Sequence, residues 1–308
     1  QKAIQSKFSR DNNLKYALDE IIVGVGGKHI IYNAMMATLN PDDEVIIPAP
    51  FWVSYPDIVL LAEGKPVIVE CPESQNFKIT ANQLEKNITE KTKWLMLNSP
   101  SNPTGAVYST SELKELAEVL LKYPQVLIMS DDIYEKIIYD NLEFSTLASI
   151  EPKLKERCLT LNGVSKAYCM TGWRLGYCGA SKEIIAAMNK IQSQSNTSTS
   201  SISMAAAVEA LEGSQDFIKD HNEAFVRRRD MVVSSLNQIE GINCLTPEGA
   251  FYVYPSCKGV IGKQTPDGNK ISNDEDFMNY LLESEGIAGV HGAAFGLSPY
   301  FRLSYATS

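Results

Sequence analysis

Short apolar runs alternate with amphipathic stretches along most of this chain, and no other feature of the sequence constrains the fold as much. From Glu20 onward, Ile21-Ile22-Val23 gives way to a helical pattern over 28 to 39. Then come Val45-Ile46-Ile47, a helical stretch after Pro50, Val67-Ile68-Val69 and Trp94-Leu95-Met96-Leu97. Such alternation predicts βα units wrapped around a mostly parallel sheet, an α/β fold. The best-marked helix opens at Ser109, where Glu112 completes a capping box. Leu113, Leu116, Ala117, Leu120 and Leu121 share one face, and Pro124 lies beyond the end. The apolar run Val126-Leu127-Ile128-Met129 follows directly as a buried strand.

Residues 1 to 12 carry Ala3, Ile4, Lys7 and Phe8 at helical spacing with neither an N-cap nor a start methionine, so the chain reads as beginning inside a helix. Further helical patterns cover 181 to 194, 199 to 212 and a longer stretch to about Gln238. The last third changes character, with Gly249-Ala250-Phe251-Tyr252-Val253-Tyr254, a polar loop near 258 to 275, a helix and closing strands. The expected division is a large domain over 1–218 and a smaller one over 219–308.

Charge and cysteine usage remove several function classes. The 308 residues carry a net charge of −9, whereas nucleic-acid binders concentrate positive charge. The run Arg227-Arg228-Arg229 sits beside Glu223 and Asp230 in a helical pattern and reads as a solvated face. Six cysteines are spread singly, with no CxxC pair and no histidine at zinc-ligand spacing, so neither a disulfide frame nor a metal site is expected. A reducing cytoplasm fits this usage. No apolar run approaches the roughly 20 residues of a membrane span and no signal peptide opens the chain, so the sequons at Asn87 and Asn196 read as chance matches.

Several stretches carry residues suited to chemistry. Gly24-Val25-Gly26-Gly27-Lys28 lies between a strand and a helix, where glycines let backbone N–H groups close on an anion, but the full GxGxxG dinucleotide pattern is not met. Asn98-Ser99-Pro100-Ser101-Asn102-Pro103-Thr104-Gly105 is a stiff loop at a strand's C-terminal end, the edge where open α/β sheets bind ligands. Asp131, in Ser130-Asp131-Asp132-Ile133-Tyr134, ends the next strand at that same edge. Phe51-Trp52-Val53-Ser54-Tyr55 reads as core aromatics, and Arg302 and Ser304 alternate with the apolar side chains of Phe301-Arg302-Leu303-Ser304-Tyr305. Lys166 stands in a loop of small and polar residues, with Arg174 eight positions on. A lysine is a useful nucleophile only when burial or a nearby charge favours its free amine.

Ser165-Lys166-Ala167-Tyr168-Cys169-Met170-Thr171-Gly172-Trp173-Arg174-Leu175-Gly176-Tyr177 closely resembles the lysine signature of the class I pyridoxal-phosphate aminotransferases, the aspartate aminotransferase family in its bacterial-type subgroup. Matches run over nearly the whole chain. The resemblance implies fold type I, a mostly parallel seven-stranded-type sheet flanked by helices with a smaller α/β C-terminal domain. It also implies that the family's N-terminal segment and C-terminal helix lie outside this sequence. Lys166 would carry pyridoxal 5′-phosphate covalently and serve as the base, while Gly27, Lys28, His29 and Arg174 would hold the phosphate. Trp52 would stack on the ring, Asp131 would face the ring nitrogen, and Asn102 and Tyr134 would donate to the ring's hydroxyl oxygen. Arg302 would fork onto the substrate's α-carboxylate, with Trp52 and Asn102 beside it, and Lys28 would receive a distal carboxylate. A homodimer and a cis Asn102–Pro103 bond are implied too. Two departures stand out: His29, where many relatives have glutamine, and His291, where proline is usual. Aspartate with 2-oxoglutarate is the expected substrate pair. The alternatives are an aromatic or prephenate aminotransferase, another reaction on the same cofactor, such as a lyase, or a catalytically incomplete fragment.

Overall fold

In a computed structural model that describes residues 1–307, two sheets are present. The larger has seven strands in the order β1-β7-β6-β5-β4-β2-β3. These are β1 (Ile21–Gly24), β2 (Glu44–Ala49), β3 (Lys65–Glu70), β4 (Thr92–Asn98), β5 (Leu127–Asp131), β6 (Cys158–Gly163) and β7 (Gly176–Gly179). The neighbours from β3 to β6 pair in parallel, whereas β7 runs antiparallel to both β6 and β1. The sheet is therefore mostly parallel, as the alternation of runs requires. A three-stranded sheet, β8 (Tyr252–Val253), β10 (Phe301–Ser304) and β9 (Val290–His291), follows late in the chain.

Each central strand buries both faces. Ile46, Leu95, Leu97 and Ile128 pack on one side of the sheet, while Val45, Ile47, Trp94, Met96 and Met129 pack on the other. Helices α1 (Lys2–Asn12), α4 (Ala81–Asn87), α5 (Thr110–Lys122), α6 (Leu147–Ile150) and α8 (Ser201–Glu212) contribute buried or part-buried side chains to the first side. Helices α2 (Gly27–Thr38), α3 (Ser54–Leu61) and α7 (Lys182–Ser195) contribute to the second. The long α9 (Phe217–Leu236) and α10 (Asp274–Glu285) accompany the small sheet. No helix among the described residues is long and apolar enough to cross a membrane.

The cap of α5 forms as its sequence demands. The Ser109 N–H donates to Glu112 Oε2 at 2.7 Å, and Ser109 Oγ accepts from the Glu112 N–H at 3.3 Å. Thr80 and Gln83 build the same reciprocal box at the start of α4, a helix that the apolar pattern does not announce.

Strand direction decides where chemistry can occur. Register places Asn98 beside Asp131, Asp131 beside Leu161, and Gly163 beside Gly176, which in turn faces Gly24. The C-terminal ends of β1, β4, β5 and β6 thus share one edge, and the loops that leave it converge.

Candidate active site

Those loops enclose a cleft of about 390 Å³, a size suited to one small cofactor or ligand. It is lined by Gly27 and Lys28 at the start of α2, Trp52 before α3, Asn102, Asp131, Tyr134, Lys166, Arg174 and Arg302. These come from segments distant in sequence, and they include every expected site residue but one.

The exception is His29. Its side chain is absent from the cleft wall and turns back on its own loop, where Nδ1 accepts the Val25 N–H at 3.2 Å. Burial holds the imidazole below its ordinary range, which favours the neutral form needed to accept that bond. The side chain stabilises the turn from behind.

Asp131 is buried at the last position of β5. Its Oδ2 accepts from the Tyr55 hydroxyl at 2.6 Å and its Oδ1 from the Ile133 N–H at 3.3 Å. Burial pushes its carboxyl up to about 6, against the hydrogen bonds from Tyr55 and Ile133 and the charge of Lys166, which favour the ionised form. Across the cleft, burial lowers the ammonium pKa of Lys166, Arg302 and Arg174 push it the same way, and Asp131 opposes them. The Lys166 Nζ lies 5.6 Å from the ring centroids of both Tyr134 and Phe251. Tyr134 is itself buried, and burial with the Tyr252 hydroxyl at 2.9 Å pushes its phenol well up, so it remains a neutral donor.

Arg174 adopts a left-handed backbone, φ 50°, and its Nη1 donates to the Thr171 carbonyl at 2.8 Å. The glycine turn leaves room for it: a Cβ on Gly26, whose φ is +86°, would stand 2.7 Å from Arg174 Nη2. Gly176 lets β7 pass the same turn, because a Cβ there would meet the Gly27 nitrogen at 2.4 Å. Gly27 and Lys28, at the start of α2, therefore present N–H groups without backbone acceptors next to a guanidinium, a ready anion cradle, while the His29 N–H donates to the Gly26 carbonyl at 3.2 Å.

At the opposite wall Arg302 leaves β10 between the Tyr252 and Phe295 rings, 4.6 and 4.9 Å from their centroids, and its Nη1 donates to Asn102 Oδ1 at 2.8 Å. Asn98 fixes the loop of Asn102, accepting the Asn102 N–H at 2.8 Å while donating to the Asp131 carbonyl at 2.8 Å. The Asn102–Pro103 bond is cis, as expected, and so are Ala49–Pro50, Ser99–Pro100 and Ser298–Pro299. Lys28 is exposed, with its Nζ 4.9 Å from the Trp52 ring centroid.

Tyr55, Asn98 and Tyr252 also line the cleft and were not anticipated. Tyr55 sits inside the aromatic stretch read as core, and only its contact with Asp131 gives it a place in the site.

Four cations line the cleft, Lys28, Lys166, Arg174 and Arg302, against a single carboxylate, Asp131, in a chain whose net charge is −9. The cavity therefore suits an anionic guest. Pyridoxal phosphate matches it part by part. There is a buried carboxylate for a ring nitrogen, an amine with a depressed pKa for an aldehyde, and a guanidinium beside a helix N-terminus for a phosphate.

Comparison with known proteins agrees. The family model described as aminotransferase class I and II matches residues 1–308. The aspartate aminotransferase of Rhizobium meliloti (strain 1021) is 57% identical over all 308 residues, which cover 75% of its length. The aspartate/prephenate aminotransferase of Cereibacter sphaeroides is 58% identical, with 77% of its length covered. The crystal structure of the aspartate aminotransferase from Rhizobium meliloti superposes with a TM-score of 0.97 at 57% identity, over 100% of this chain and 77% of that one. Thermus thermophilus aspartate aminotransferase with maleate gives a TM-score of 0.90 at 39% identity, over 99% of this chain and 76% of its own. This chain belongs to the class I and II aminotransferases and is a pyridoxal-phosphate-dependent enzyme of that family.

Proposed function

We propose that this aminotransferase moves the amino group of L-aspartate to 2-oxoglutarate in two half-reactions, as a cytoplasmic homodimer. The observation that carries the substrate choice is the pair of cations on the cleft wall beyond those assigned to the cofactor: Arg302, braced by two rings and Asn102, and Lys28, at the mouth over Trp52. A dicarboxylate is the guest that uses both. The relatives named for aspartate support this, as does the Thermus enzyme solved with maleate, a four-carbon dicarboxylate. The relative named aspartate/prephenate favours a second reading, in which a bulkier dicarboxylate is also accepted.

When bound, pyridoxal phosphate supplies a protonated pyridine ring that draws electrons from the substrate's α-carbon. In this reading Asp131 keeps a negative charge at the ring nitrogen, and its tie to Tyr55 fixes the carboxylate plane. Lys166 would hold the group covalently, and its Nζ would take the α-proton once the substrate amine displaced it, a task that suits an amine whose protonated form is destabilised. Tyr134 and Asn102 donate to the ring's hydroxyl oxygen. Gly27 and Lys28 would hold the phosphate through backbone N–H groups beside Arg174, leaving the Lys28 side chain for substrate; His29 would complete the turn through its backbone, and Trp52 would cover one ring face. Arg302 grips the α-carboxylate through a planar fork that lysine could not replace. Residues 219–308 act as a separate smaller domain that delivers Arg302; its three-stranded sheet shares no ladder with the larger one.

Purified protein given aspartate and 2-oxoglutarate should produce glutamate. Release of ammonia without a keto acid would mark a lyase instead. Borohydride treatment should leave a pyridoxyl label on one tryptic peptide, the one containing Lys166; a label on any other lysine refutes that assignment. Lys28→Ala should lower kcat/KM for aspartate more than for a neutral aromatic amino acid, by on the order of 1.5–3 kcal/mol for one lost charge-assisted hydrogen bond. An equal loss for both substrates would reassign the Lys28 side chain to the phosphate cradle.

A further inference from the structure

Two tyrosines meet at the cleft wall, and only one of them has a place in the reading above. Tyr134, on the turn after β5, and Tyr252, on β8 of the small sheet, are 118 residues apart in sequence, yet their hydroxyl oxygens are 2.9 Å apart and both side chains are buried. The face of the Tyr252 ring also carries Arg302, 4.6 Å from its centroid, so one side chain touches both a phenol assigned to the cofactor ring and the guanidinium assigned to substrate. The other charged or titratable groups around this pair are Asp131 at the end of β5, Lys166 in its loop, Arg302 on β10 and Tyr55 on α3.

We infer that Tyr252 is a positioning residue for the transamination: its hydroxyl donates to the Tyr134 oxygen and strengthens Tyr134 as a donor to the ring's hydroxyl oxygen, while its ring face seats Arg302. A phenol that itself accepts a hydrogen bond is the better donor, because successive bonds polarise one another. Tyr134 can fill both roles, having one O–H to give and lone pairs to receive. In this reading the single O–H of Tyr134 is given to the ring oxygen, so across the 2.9 Å contact Tyr134 accepts and Tyr252 donates, with Arg302 over the Tyr252 ring face. The inference rests on Tyr134 serving the ring oxygen, and the test separates the two.

The test uses the holoenzyme and the variants Y252F, Y134F and Y252F/Y134F, with the bound cofactor's absorbance titrated against pH. A weaker donor leaves more negative charge on the ring oxygen, so the proton on the neighbouring Lys166 nitrogen is held more tightly and the midpoint rises. Y252F should raise the midpoint by about 0.5 pH unit, the scale of one net hydrogen bond. It should raise it no further in the Y134F background, because the effect passes through Tyr134. Since the Y252F ring still seats Arg302, KM for aspartate should stay within about twofold while kcat falls, a split that a loosened structure would not produce. A wild-type midpoint in Y252F, alongside a raised one in Y134F, overturns the role of Tyr252 alone. An unmoved midpoint in Y134F overturns the reading of Tyr134 and the relay with it. Equal, additive shifts in the single and double variants show that Tyr252 acts independently, which also refutes the relay.

Discussion

A carboxylate at the end of a buried strand faces opposing demands, and Asp131 shows which prevails. Burial alone favours the protonated acid, and the bonds from Tyr55 and Ile133 recover only part of the cost, leaving the group at about 6 against an ordinary 3.8. The folded, cofactor-free chain therefore holds a proton that the unfolded chain has released, so this group's contribution to stability falls as pH rises from about 4 to about 6. The loss by pH 7 is about 3 kcal/mol, from roughly two units at 1.36 kcal/mol each. Denaturant unfolding of the cofactor-free protein at pH 4.5 and 7 should show this decline in the wild type. In Asp131→Asn the decline should shrink by about 2 kcal/mol, the part of that loss lying between pH 4.5 and 7, and identical pH dependence in both proteins would remove the argument. Asn102 and Asp131 are legible in the sequence because each follows a strand that sets it at the ligand-binding edge, and Lys166 and Arg174 because their run resembles a long, specific family signature. Tyr55 and Tyr252 are not, because their roles lie in what they touch across 76 and 118 residues. His29 illustrates the converse, since proximity in sequence places it in the glycine turn while its ring serves the backbone behind it.

Elements follow the sequence where local chemistry decides them. The capping boxes of α5 and α4 close on short side chains within four residues, and the first was readable for that reason. Reversal of β7 against β6 was not, since an apolar run carries no direction. Helix α1 holds another feature that pattern alone conceals: Lys7, spaced among Ala3, Ile4 and Phe8, does not reach solvent but is buried with them. It pairs with Glu135 and donates to Asn12 Oδ1 at 2.7 Å, and Asn12 in turn donates to Glu135 Oε2 at 2.8 Å. This triad pins α1 to the back of the turn whose front carries Asp131 and Tyr134. Removing one partner leaves a buried charge uncompensated, so Lys7→Ala should destabilise the fold by about 3–5 kcal/mol. The pair Lys7→Met/Glu135→Leu should cost far less than the two single changes together, as a double-mutant cycle by urea unfolding will show. Additive costs would mean that the ion pair contributes nothing to the docking of α1.

For the molecule as a whole, the surface of α8 matters most. Its buried stripe, Ser203, Ala207 and Leu211, faces the core, but the other side carries Ile202, Ala205 and Val208, with Ile202 72% and Val208 45% exposed. A helix apolar on both faces is rarely left in water, and residues Thr171 to Arg174, two of which line the cleft, are exposed as well. A second copy related by a twofold axis can cover such a face with the same face of its own, and this favours the homodimer. Two acidic substitutions in that patch, Ile202→Glu and Val208→Glu, leave the buried stripe untouched and place like charges opposite one another in the pair. Sedimentation equilibrium of the doubly substituted protein should give the monomer mass where the proposed homodimer of the unsubstituted chain should give twice that, with the far-UV spectrum unchanged. The monomer should also bind pyridoxal phosphate more weakly, because Thr171 and Arg174 would then face solvent on the phosphate side of the cleft. A dimer of undiminished affinity would place the interface elsewhere on the surface. A monomer with wild-type cofactor affinity would show that the cradle formed by α2 and Arg174 is complete within one chain.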